Sequence, residues 1–388
     1  MDKGFVFNSP KASIFGKNTL SDLPKLVRDF GTEKVMIVTD RFFIQNGLID
    51  LIRENLENSG LSVVIFSNVR PDPTLENVYE GLELLNESGA GLLIGVGGGS
   101  PIDAAKAISI LATNPKPLER YMGYHKVQKA GLPLIAIPTT AGTGSEATKV
   151  AVITDSVNDV KMMILDKSLM PSASIIDYSL TMTMPPDLTA YVGVDTLTHG
   201  IEAFVSLKSN PISDSLALSC IGLVSKHLKK AWEFPEDEQA RQGMSLAAFL
   251  GGLSFTNSSV GLVHGMSRPL GAIFHLAHGL SNAILLPTVV RYSLKGSPAK
   301  YAEISSVMGF AKKGETEEST GMNLVKGLIE LNSFLNIPRL SECGKIKSKD
   351  FFGSLEKMAS DALASGSPQN NPIIPTMEEI VTLYKEAW

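Results

Sequence analysis

Residues 92–106, LLIGVGGGSPIDAAK, carry the clearest fold signal in the first half of the chain. Their apolar start predicts a buried strand, which runs into the three glycines Gly97–Gly99. Ser100 is then placed to cap a helix, with Pro101 at the first helical position. Glycines let a backbone approach a phosphate closely, and a helix N-terminus directs free N–H groups at it, so the stretch predicts an anion-binding loop. The alternative is a tight, well-capped turn, because the loop reads G-x-G-x-x-S and lacks the third glycine of the dinucleotide fingerprint.

Short β-branched runs alternate with helical stretches on both sides of this loop, which is typical of βαβ units and a mostly parallel sheet. Amphipathic helices are predicted over residues 76–87 and 101–111. The pattern predicts an N-terminal α/β nucleotide-binding domain over residues 1–183. Its candidate strands are residues 34–39, 62–66, 92–96, 134–138, 150–154 and 173–177.

The pattern of structural signals changes after Asp177. Pro185 and Pro186 predict the end of the preceding element, and Asp187 is predicted to cap the helix that follows. Strand-like runs then nearly vanish, and long helical stretches continue to Trp388. We therefore expect a second, all-α domain over residues 184–388.

Composition excludes several classes of function. The 388 residues carry 35 basic and 40 acidic side chains, a formal net charge of −5, so the protein lacks the basic surface that nucleic-acid binding requires. The two cysteines, Cys220 and Cys343, lie far apart, which excludes a disulfide framework and a cysteine-based zinc site. Residues 1–5 do not read as a secretory signal, so a reducing, cytoplasmic location is expected.

Residues 242–267 contain no Asp, Glu, Lys or Arg and need a membrane test. Their many glycine, serine, threonine and asparagine side chains are too polar for a lipid-facing span. We expect a buried core helix with a break, and no membrane as a partner.

A second loop, residues 138–146, reads PTTAGTGSE and places several hydroxyls at the end of a predicted strand. Such groups suit phosphate, ribose or amide partners, although an ordinary surface turn has the same composition. Asp40 ends the first strand, where a carboxylate can accept a ribose diol and repel a 2′-phosphate, which favours NAD over NADP. Asp40 precedes the glycine loop, whereas the ordinary Rossmann acid follows it, so an unusual strand order is expected.

The histidines contain a possible metal site. Asp195 and His199 are spaced i and i+4 and so share a helix face. His264 and His278 would lie about 21 Å apart on an unbroken helix, but Gly265, Pro269, Gly271 and Gly279 between and beside them favour a break that lets both converge. One carboxylate and three imidazoles suit Fe(II) or Zn(II). From spacing alone, satisfied core histidines are an equal alternative. His275 is an alternative ligand or a base, although an ordinary structural role is favoured for it, and His125 and His227 are expected to be ordinary structural histidines.

Four runs in this order resemble the iron-containing (group III) alcohol dehydrogenases, which share the dehydroquinate synthase-like fold. They are Gly97-Gly98-Gly99-Ser100-Pro101-x-Asp103-x-x-Lys106, Pro138-Thr139-Thr140-x-Gly142-Thr143-Gly144-Ser145-Glu146, Asp195-x-Leu197-Thr198-His199-x-Ile201-Glu202-Ala203, and His264-Gly265-Met266-x-x-Pro269-Leu270-Gly271 with His278-Gly279 and Asn282-Ala283. The resemblance spans nearly the whole chain.

The resemblance implies an NAD-linked oxidoreductase with one divalent metal, Fe(II) first and Zn(II) second, and a homodimer or larger homo-oligomer. The implied reaction is reversible hydride transfer between a small primary alcohol or diol and its aldehyde, with the metal polarising the substrate oxygen. The implied metal ligands are Asp195, His199, His264 and His278. The implied nucleotide contacts are Asp40, Gly98, Gly99, Ser100, Asp103, Thr139, Thr140, Thr143, Thr148 and Lys161.

One position departs from the family pattern. Many members carry a histidine four residues after the third ligand, often given a role in the proton path, and here that position is Arg268. A guanidinium cannot act as a base near neutral pH, so His275 is the candidate replacement. The alternatives are a dehydroquinate-synthase-like lyase, which needs more Lys and Arg near the metal, a hydroxyacid–oxoacid hydride transfer, and a non-catalytic nucleotide-binding protein.

Overall fold

The computed structural model describes residues 4–158, 160–344 and 346–388. These residues form two compact units, residues 8–182 and residues 183–388, the second together with the N-terminal residues up to Phe7. Each unit has its own secondary-structure content, α/β in the first and helical in the second.

The first unit is built on a six-stranded parallel sheet in the order β1-β9-β6-β4-β2-β3, beside a three-stranded sheet in the order β5-β8-β7. The strands are β1 (Ala12–Gly16), β2 (Lys34–Val38), β3 (Ser62–Phe66), β4 (Leu92–Gly97), β5 (Gly123–Tyr124), β6 (Leu134–Pro138), β7 (Val150–Asp155), β8 (Val160–Leu165) and β9 (Ala173–Asp177). The helices of this unit are α1 (Leu23–Asp29), α2 (Arg41–Gln45), α3 (Leu48–Glu57), α4 (Leu75–Ser88) and α5 (Gly99–Leu111).

Apolar cores lie on both faces of the parallel sheet. Along β2, Val35 and Ile37 belong to one core while Met36 and Val38 belong to the other. Every residue of β4 is buried. This two-sided burial explains why the strands read as continuous apolar runs rather than as alternating ones.

The strand order explains the early position of Asp40. The chain leaves β2 for β3 on one side and returns to β4 on the other, so the order reverses between β2 and β4. Ligands of open α/β sheets bind at such a switch point, beyond the carboxyl ends of the strands. Asp40 follows β2 and the glycine loop follows β4, and Thr39 Oγ1 donates to Val96 O at 3.0 Å. The expected departure from the Rossmann order is confirmed.

One local prediction is confirmed with a different pairing, and two were wrong. Residues 150–154 form a strand, but β7 pairs antiparallel with β8 in the second sheet. Ser100 is not a cap, because α5 begins at Gly99 with Gly98 in the N-cap position. Asp187 lies in the first turn of its helix, which begins at Pro186.

The second unit is helical throughout the residues that the structure describes from Thr183 onward. Its helices are α6 (Pro186–Val205), α7 (Pro211–Glu233), α8 (Glu238–Asn257), α9 (Leu262–Phe274), α10 (His278–Ser293), α11 (Pro298–Val307), α12 (Glu317–Phe334), α13 (Ser348–Gly353), α14 (Leu355–Ala364) and α15 (Met377–Ala387). Buried Arg241 donates to Pro235 O, Thr189 Oγ1 and Met184 O, so it fixes the start of α6 against α8.

The uncharged stretch is divided between α8 and α9, which are bent by 104° at a short break. Most of α8 is buried, as expected for a core helix. Within the described part of the chain, no single helix is long and apolar enough to cross a membrane, and only this bent pair passes such a test when taken together.

Candidate functional site

Four side chains of the second unit converge on one point. Asp195 and His199 lie one turn apart on α6, where their ligand atoms Oδ1 and Nε2 are 3.9 Å apart. His264 Nε2, from α9, lies 3.6 Å from the same carboxylate oxygen, and His278 Nε2, from α10, lies 3.9 Å from it. The rings are close as well, with centroids 4.8 Å apart for His199 and His264 and 5.2 Å apart for His264 and His278.

The convergence depends on a break between α9 and α10. His275 ends α9 in the left-handed conformation, with φ of 52°, and α10 begins at His278. The predicted break is therefore confirmed, although the chain turns at residues 275–277 and not at Pro269, which lies inside α9. Because of this break, the ring of His278 can lie next to the ring of His264.

Burial distinguishes the four side chains. Asp195, His199 and His264 are each no more than 5% exposed, whereas 49% of the His278 side chain is exposed. The candidate site is thus buried at Asp195, His199 and His264 and exposed at His278. Asp195, His199 and His264 also form a group whose ligand atoms lie within 4.8 Å of one another.

Electrostatics favour an ionised carboxylate at the centre. Burial alone would raise the pKa of Asp195, but the neighbouring imidazoles of His199, His278 and His264 outweigh it and hold that pKa well below its usual range. Burial alone would lower the pKa of His264, but Glu202 and Asp195 raise it to about 9. The site therefore holds an ionised carboxylate among three imidazoles, with the carboxylate of Glu202 next to His264.

Two further residues contact the cluster, and neither has an assigned role from the sequence. Asn282 donates from Nδ2 to Asp195 Oδ1 at 2.6 Å and lies 3.1 Å from His264 Nε2 and 3.2 Å from His278 Nε2. Glu202 Oε2 lies 2.6 Å from His264 Nδ1. Their positions in the sequence give a signal, since both lie on the ligand helices at helical spacing, Glu202 seven residues after Asp195 and Asn282 four after His278.

Arg268 and His275 differ in how exposed they are to solvent. Arg268 is half-buried on α9, one turn after His264, and its Nη1 donates to Ser367 Oγ at 2.9 Å. His275 is exposed at the end of α9. A catalytic role for His275 stays a prediction.

The first unit brings the glycine loop beside the second loop. A Cβ on Gly98 would lie 3.5 Å from Thr140 Cγ2, and a Cβ on Gly99 would lie 3.2 Å from Thr143 Cγ2. Gly97 has a φ of 142°, and a Cβ there would lie 2.7 Å from Pro101 Cγ, so only glycine fits. The glycine loop and the second loop, both predicted to bind the nucleotide, therefore lie next to each other.

The hydroxyls of the second loop include two without a hydrogen-bond partner among the described residues. They are Thr139 Oγ1 and Thr140 Oγ1, both shielded from solvent. An unsatisfied buried hydroxyl costs about 1–3 kcal/mol, so such groups call for a ligand or an ordered water.

Asp103 and Thr148, predicted as nucleotide contacts, bind protein groups in this structure. Asp103 accepts from Ser145 Oγ at 2.6 Å and from Val152 N at 2.9 Å. Fully buried Lys106 donates to Ser145 Oγ at 2.9 Å, to Thr148 Oγ1 at 3.0 Å and to Val150 O at 2.7 Å. We call Asp103, Lys106, Ser145 and Thr148 the buried clamp, because it ties α5 to the second loop.

Asp40 and Lys161, predicted as nucleotide contacts, are also partnered. Asp40 caps α2 by accepting from Phe42 N at 2.9 Å, and burial raises the pKa of its carboxyl. Lys161, on β8, forms an ion pair with Asp72 at 2.8 Å. Asp40 lies at the switch point of the sheet, whereas Lys161 lies in the second sheet.

Comparison with known proteins agrees with this geometry. Residues 10–178 match the family model described as iron-containing alcohol dehydrogenase, and residues 189–388 match the model of that family's C-terminal region. Alcohol dehydrogenase 4 of Schizosaccharomyces pombe is 38% identical over 98% of this chain and 89% of that protein. Lactaldehyde reductase of Escherichia coli K12 is 36% identical over 96% of this chain and 97% of that protein.

A solved structure described as 1,3-propanediol oxidoreductase superposes with a TM-score of 0.96 at 33% identity, and the match covers 100% of both chains. The two family models together account for both units of the chain. The protein belongs to the iron-containing alcohol dehydrogenase family.

Proposed function

We propose that the protein catalyses reversible hydride transfer between a small primary alcohol or diol and its aldehyde, with NAD as hydride carrier and one divalent metal. In the oxidising direction the carbinol carbon gives its hydride to the nicotinamide and the hydroxyl proton leaves to solvent, which yields aldehyde, NADH and a proton. The observation that carries the proposal is the convergence of three imidazole Nε2 atoms on Asp195 Oδ1 at 3.6–3.9 Å.

The residues present fit a divalent first-row metal. Three imidazoles and one carboxylate are ligands that Fe(II) and Zn(II) share, with room for a substrate oxygen. We propose Asp195, His199, His264 and His278 as the ligands, Fe(II) as the first candidate and Zn(II) as the second. When bound, such an ion supplies Lewis-acid polarisation of a substrate oxygen.

The first unit supplies the proposed nucleotide site. The helix N-terminus at Gly98, Gly99 and Ser100 offers backbone N–H groups for a pyrophosphate. The unpartnered hydroxyls of Thr139 and Thr140, with Thr143 beside them, are proposed hydrogen-bonding partners of the nucleotide. Asp103 and Thr148 contribute through the buried clamp, and Lys161 is proposed at most as a peripheral contact.

The cofactor preference is assigned to Asp40. A carboxylate at the switch point accepts hydrogen bonds from a ribose diol and repels a 2′-phosphate, which supports NAD over NADP.

Arg268 is not proposed as part of the proton path. Because a guanidinium stays protonated, this side chain can orient a substrate oxygen but cannot accept the alcohol proton. We propose His275, exposed at the end of α9, as the titratable group in its place. The names of the relatives support a small oxygenated substrate, since they include an alcohol dehydrogenase, a lactaldehyde reductase and a propanediol oxidoreductase.

Free, buried Cys220 and Cys343 are compatible with a reducing, cytoplasmic location, which we propose as well. The homodimer or larger homo-oligomer implied by the family resemblance stays a prediction.

The test is an anaerobic assay of chelator-treated protein reconstituted with Fe(II), with Zn(II) or with no metal. Each form is assayed with NAD and with NADP against ethanol, butanol, 1,2-propanediol, 1,3-propanediol and the matching aldehydes. The proposal predicts turnover that needs metal and favours NAD. Absence of turnover with every metal, alcohol and aldehyde would contradict it.

A further inference from the structure

A buried carboxylate lies directly behind one of the proposed metal ligands. Glu202 Oε2 is 2.6 Å from His264 Nδ1, and both side chains are only 4% exposed. The other oxygen, Glu202 Oε1, accepts from the backbone N–H of Val263 at 2.6 Å. Both carboxylate oxygens are therefore used by adjacent residues at the start of α9.

The local fold leaves space for this carboxylate. Glu202 lies two helical turns after Asp195 on α6, so the two acids share one side of that helix. At the N-cap of α9, a Cβ on Gly261 would lie 3.1 Å from Glu202 Oε1, tighter than an ordinary contact. A larger residue at this position would displace the carboxylate.

This arrangement determines which nitrogen of His264 can bind a cation. A carboxylate only accepts hydrogen bonds, so Nδ1 must carry the proton that it donates to Glu202. Nε2 is the remaining nitrogen, and it lies 3.6 Å from Asp195 Oδ1. The contact with Glu202 thus orients the ring and reserves Nε2 for the ligand cluster.

Charge gives Glu202 a second effect. A divalent ion held by Asp195 and neutral imidazoles would leave one positive charge in a buried site, which is costly where water is excluded. The second carboxylate, one imidazole away, offsets that charge without occupying a ligand position.

We propose that Glu202 is a positioning residue of the metal centre, which fixes the Nδ1–H form of His264 and balances the charge of the bound ion. The inference rests on the proposed metal function of the cluster.

Glu202→Gln tests the proposal because glutamine keeps the size of the side chain. It has only one acceptor oxygen, whereas Val263 N–H and His264 Nδ1–H each need one. Either Val263 N–H or His264 Nδ1–H then faces an amide NH₂ group. We expect a 10- to 100-fold weaker affinity for Zn(II), measured by chelator competition, and an altered visible absorption spectrum of the Co(II)-loaded protein.

Asp237→Asn is the matched control. Asp237 caps α8 by accepting from Ala240 N at 2.8 Å and pairs with Lys230, so the same acid-to-amide change is made in the same unit. Its Zn(II) affinity and Co(II) spectrum should match those of the wild type, even where its thermal midpoint falls.

A second measurement uses the unmodified chain and so does not depend on the variant folding. In Zn(II)-loaded protein labelled with ¹⁵N-histidine, NMR should show a solvent-protected Nδ1–H on His264. Absence of that proton, or equal Zn(II) affinity and identical Co(II) spectra for wild type and Glu202→Gln, would overturn the role of Glu202 and leave the metal site intact. Failure of the wild type to bind Zn(II) or Co(II) would overturn both.

Discussion

Two regions satisfy their polar groups in opposite ways. One is the ligand cluster of the helical unit, Asp195, His199, His264 and His278, and the other is the loop region of the α/β unit, residues 97–106 and 138–148. In the cluster, Asn282 lies within hydrogen-bonding reach of both Asp195 and His264, and His264 in turn contacts Glu202. In the loop region the buried clamp is fully bonded within the protein, whereas the Thr139 hydroxyl next to it has no partner among the described residues.

On the proposed function, this difference reflects the two ligands. The ionised Asp195 and the lone pairs of the imidazoles would be stabilised by a bound cation. In the loop region, the clamp holds the backbone, and the unpartnered hydroxyls of Thr139 and Thr140 are the proposed contacts of the nucleotide. Substitutions should therefore separate metal binding, folding and nucleotide binding.

The largest effect is expected for Asp195→Asn, which removes the only carboxylate among the proposed ligands at nearly constant size. We expect metal affinity to fall by at least about 100-fold and turnover by about 10³-fold. NAD affinity, measured by fluorescence titration, should change less than about twofold, because the loop region is untouched. His227→Gln, a change at a buried histidine of α7, is the control and should leave metal affinity unchanged. Unchanged metal affinity in Asp195→Asn would contradict the ligand assignment.

Lys106→Met is expected to break the buried clamp. Its ammonium group donates to three acceptors and lies 3.6 Å from Asp103, and the substitution removes all of these contacts. Removing one partner of a buried charged pair costs about 3–5 kcal/mol, so chemical denaturation should show a loss of that size. NAD affinity should fall as the second loop loosens, while Zn(II) affinity stays at the wild-type value. A variant as stable as the wild type would show that the clamp is not needed.

Thr139→Val separates nucleotide binding from folding. The substitution removes a hydroxyl that has no partner in the described structure, at nearly equal volume, so stability should be unchanged or slightly higher. If the hydroxyl binds nucleotide, NAD affinity should fall by about 10-fold. Thr181→Val is a suitable control, because the Thr181 hydroxyl donates to Tyr178 O at 2.7 Å and its loss should lower stability without changing NAD affinity. Unchanged NAD affinity in Thr139→Val would remove this residue from the proposed site.

The smallest effect concerns pH. Burial raises the pKa of Glu146 from its ordinary value of 4.5 to about 7. The folded protein thus holds this proton more tightly than the unfolded chain does, so the stabilisation is complete below about pH 4.5 and is lost as pH rises to about 7. Glu146→Gln should flatten the dependence of the thermal midpoint on pH between about 5 and 7. A slope equal to that of the wild type would show that Glu146 does not titrate in this window.

Several features could be predicted from the sequence because their signals are local. Buried parallel strands read as apolar runs, the glycine loop as strand, glycines and helix, and Asp195 with His199 as a shared helix face. The strand order required a further observation, the position of Asp40 before the glycine loop. That order follows the flavodoxin-like arrangement, with β1 added at the far edge.

Other features depend on tertiary contacts that the sequence pattern does not carry. Strand β1 is short and lies at the sheet edge, with only partly buried or exposed residues, so its apolar signal is weak. Lys106 reads as a solvent-facing helical lysine but is fully buried, because Ser145, Thr148 and Val150 supply its acceptors from 39 to 44 residues further along the chain. Glu202 likewise acquires its role only through contact with His264, 62 residues away.

The proposed function depends on one divalent ion held by Asp195, His199, His264 and His278. X-ray absorption fine structure at the metal edge of Zn(II)- and Fe(II)-loaded protein can test these ligands, because the multiple scattering from imidazoles allows them to be counted. We expect three imidazoles per ion together with oxygen ligands, and the loss of an oxygen ligand or of the ion itself in Asp195→Asn. One imidazole or none, or a sulfur ligand, would contradict it.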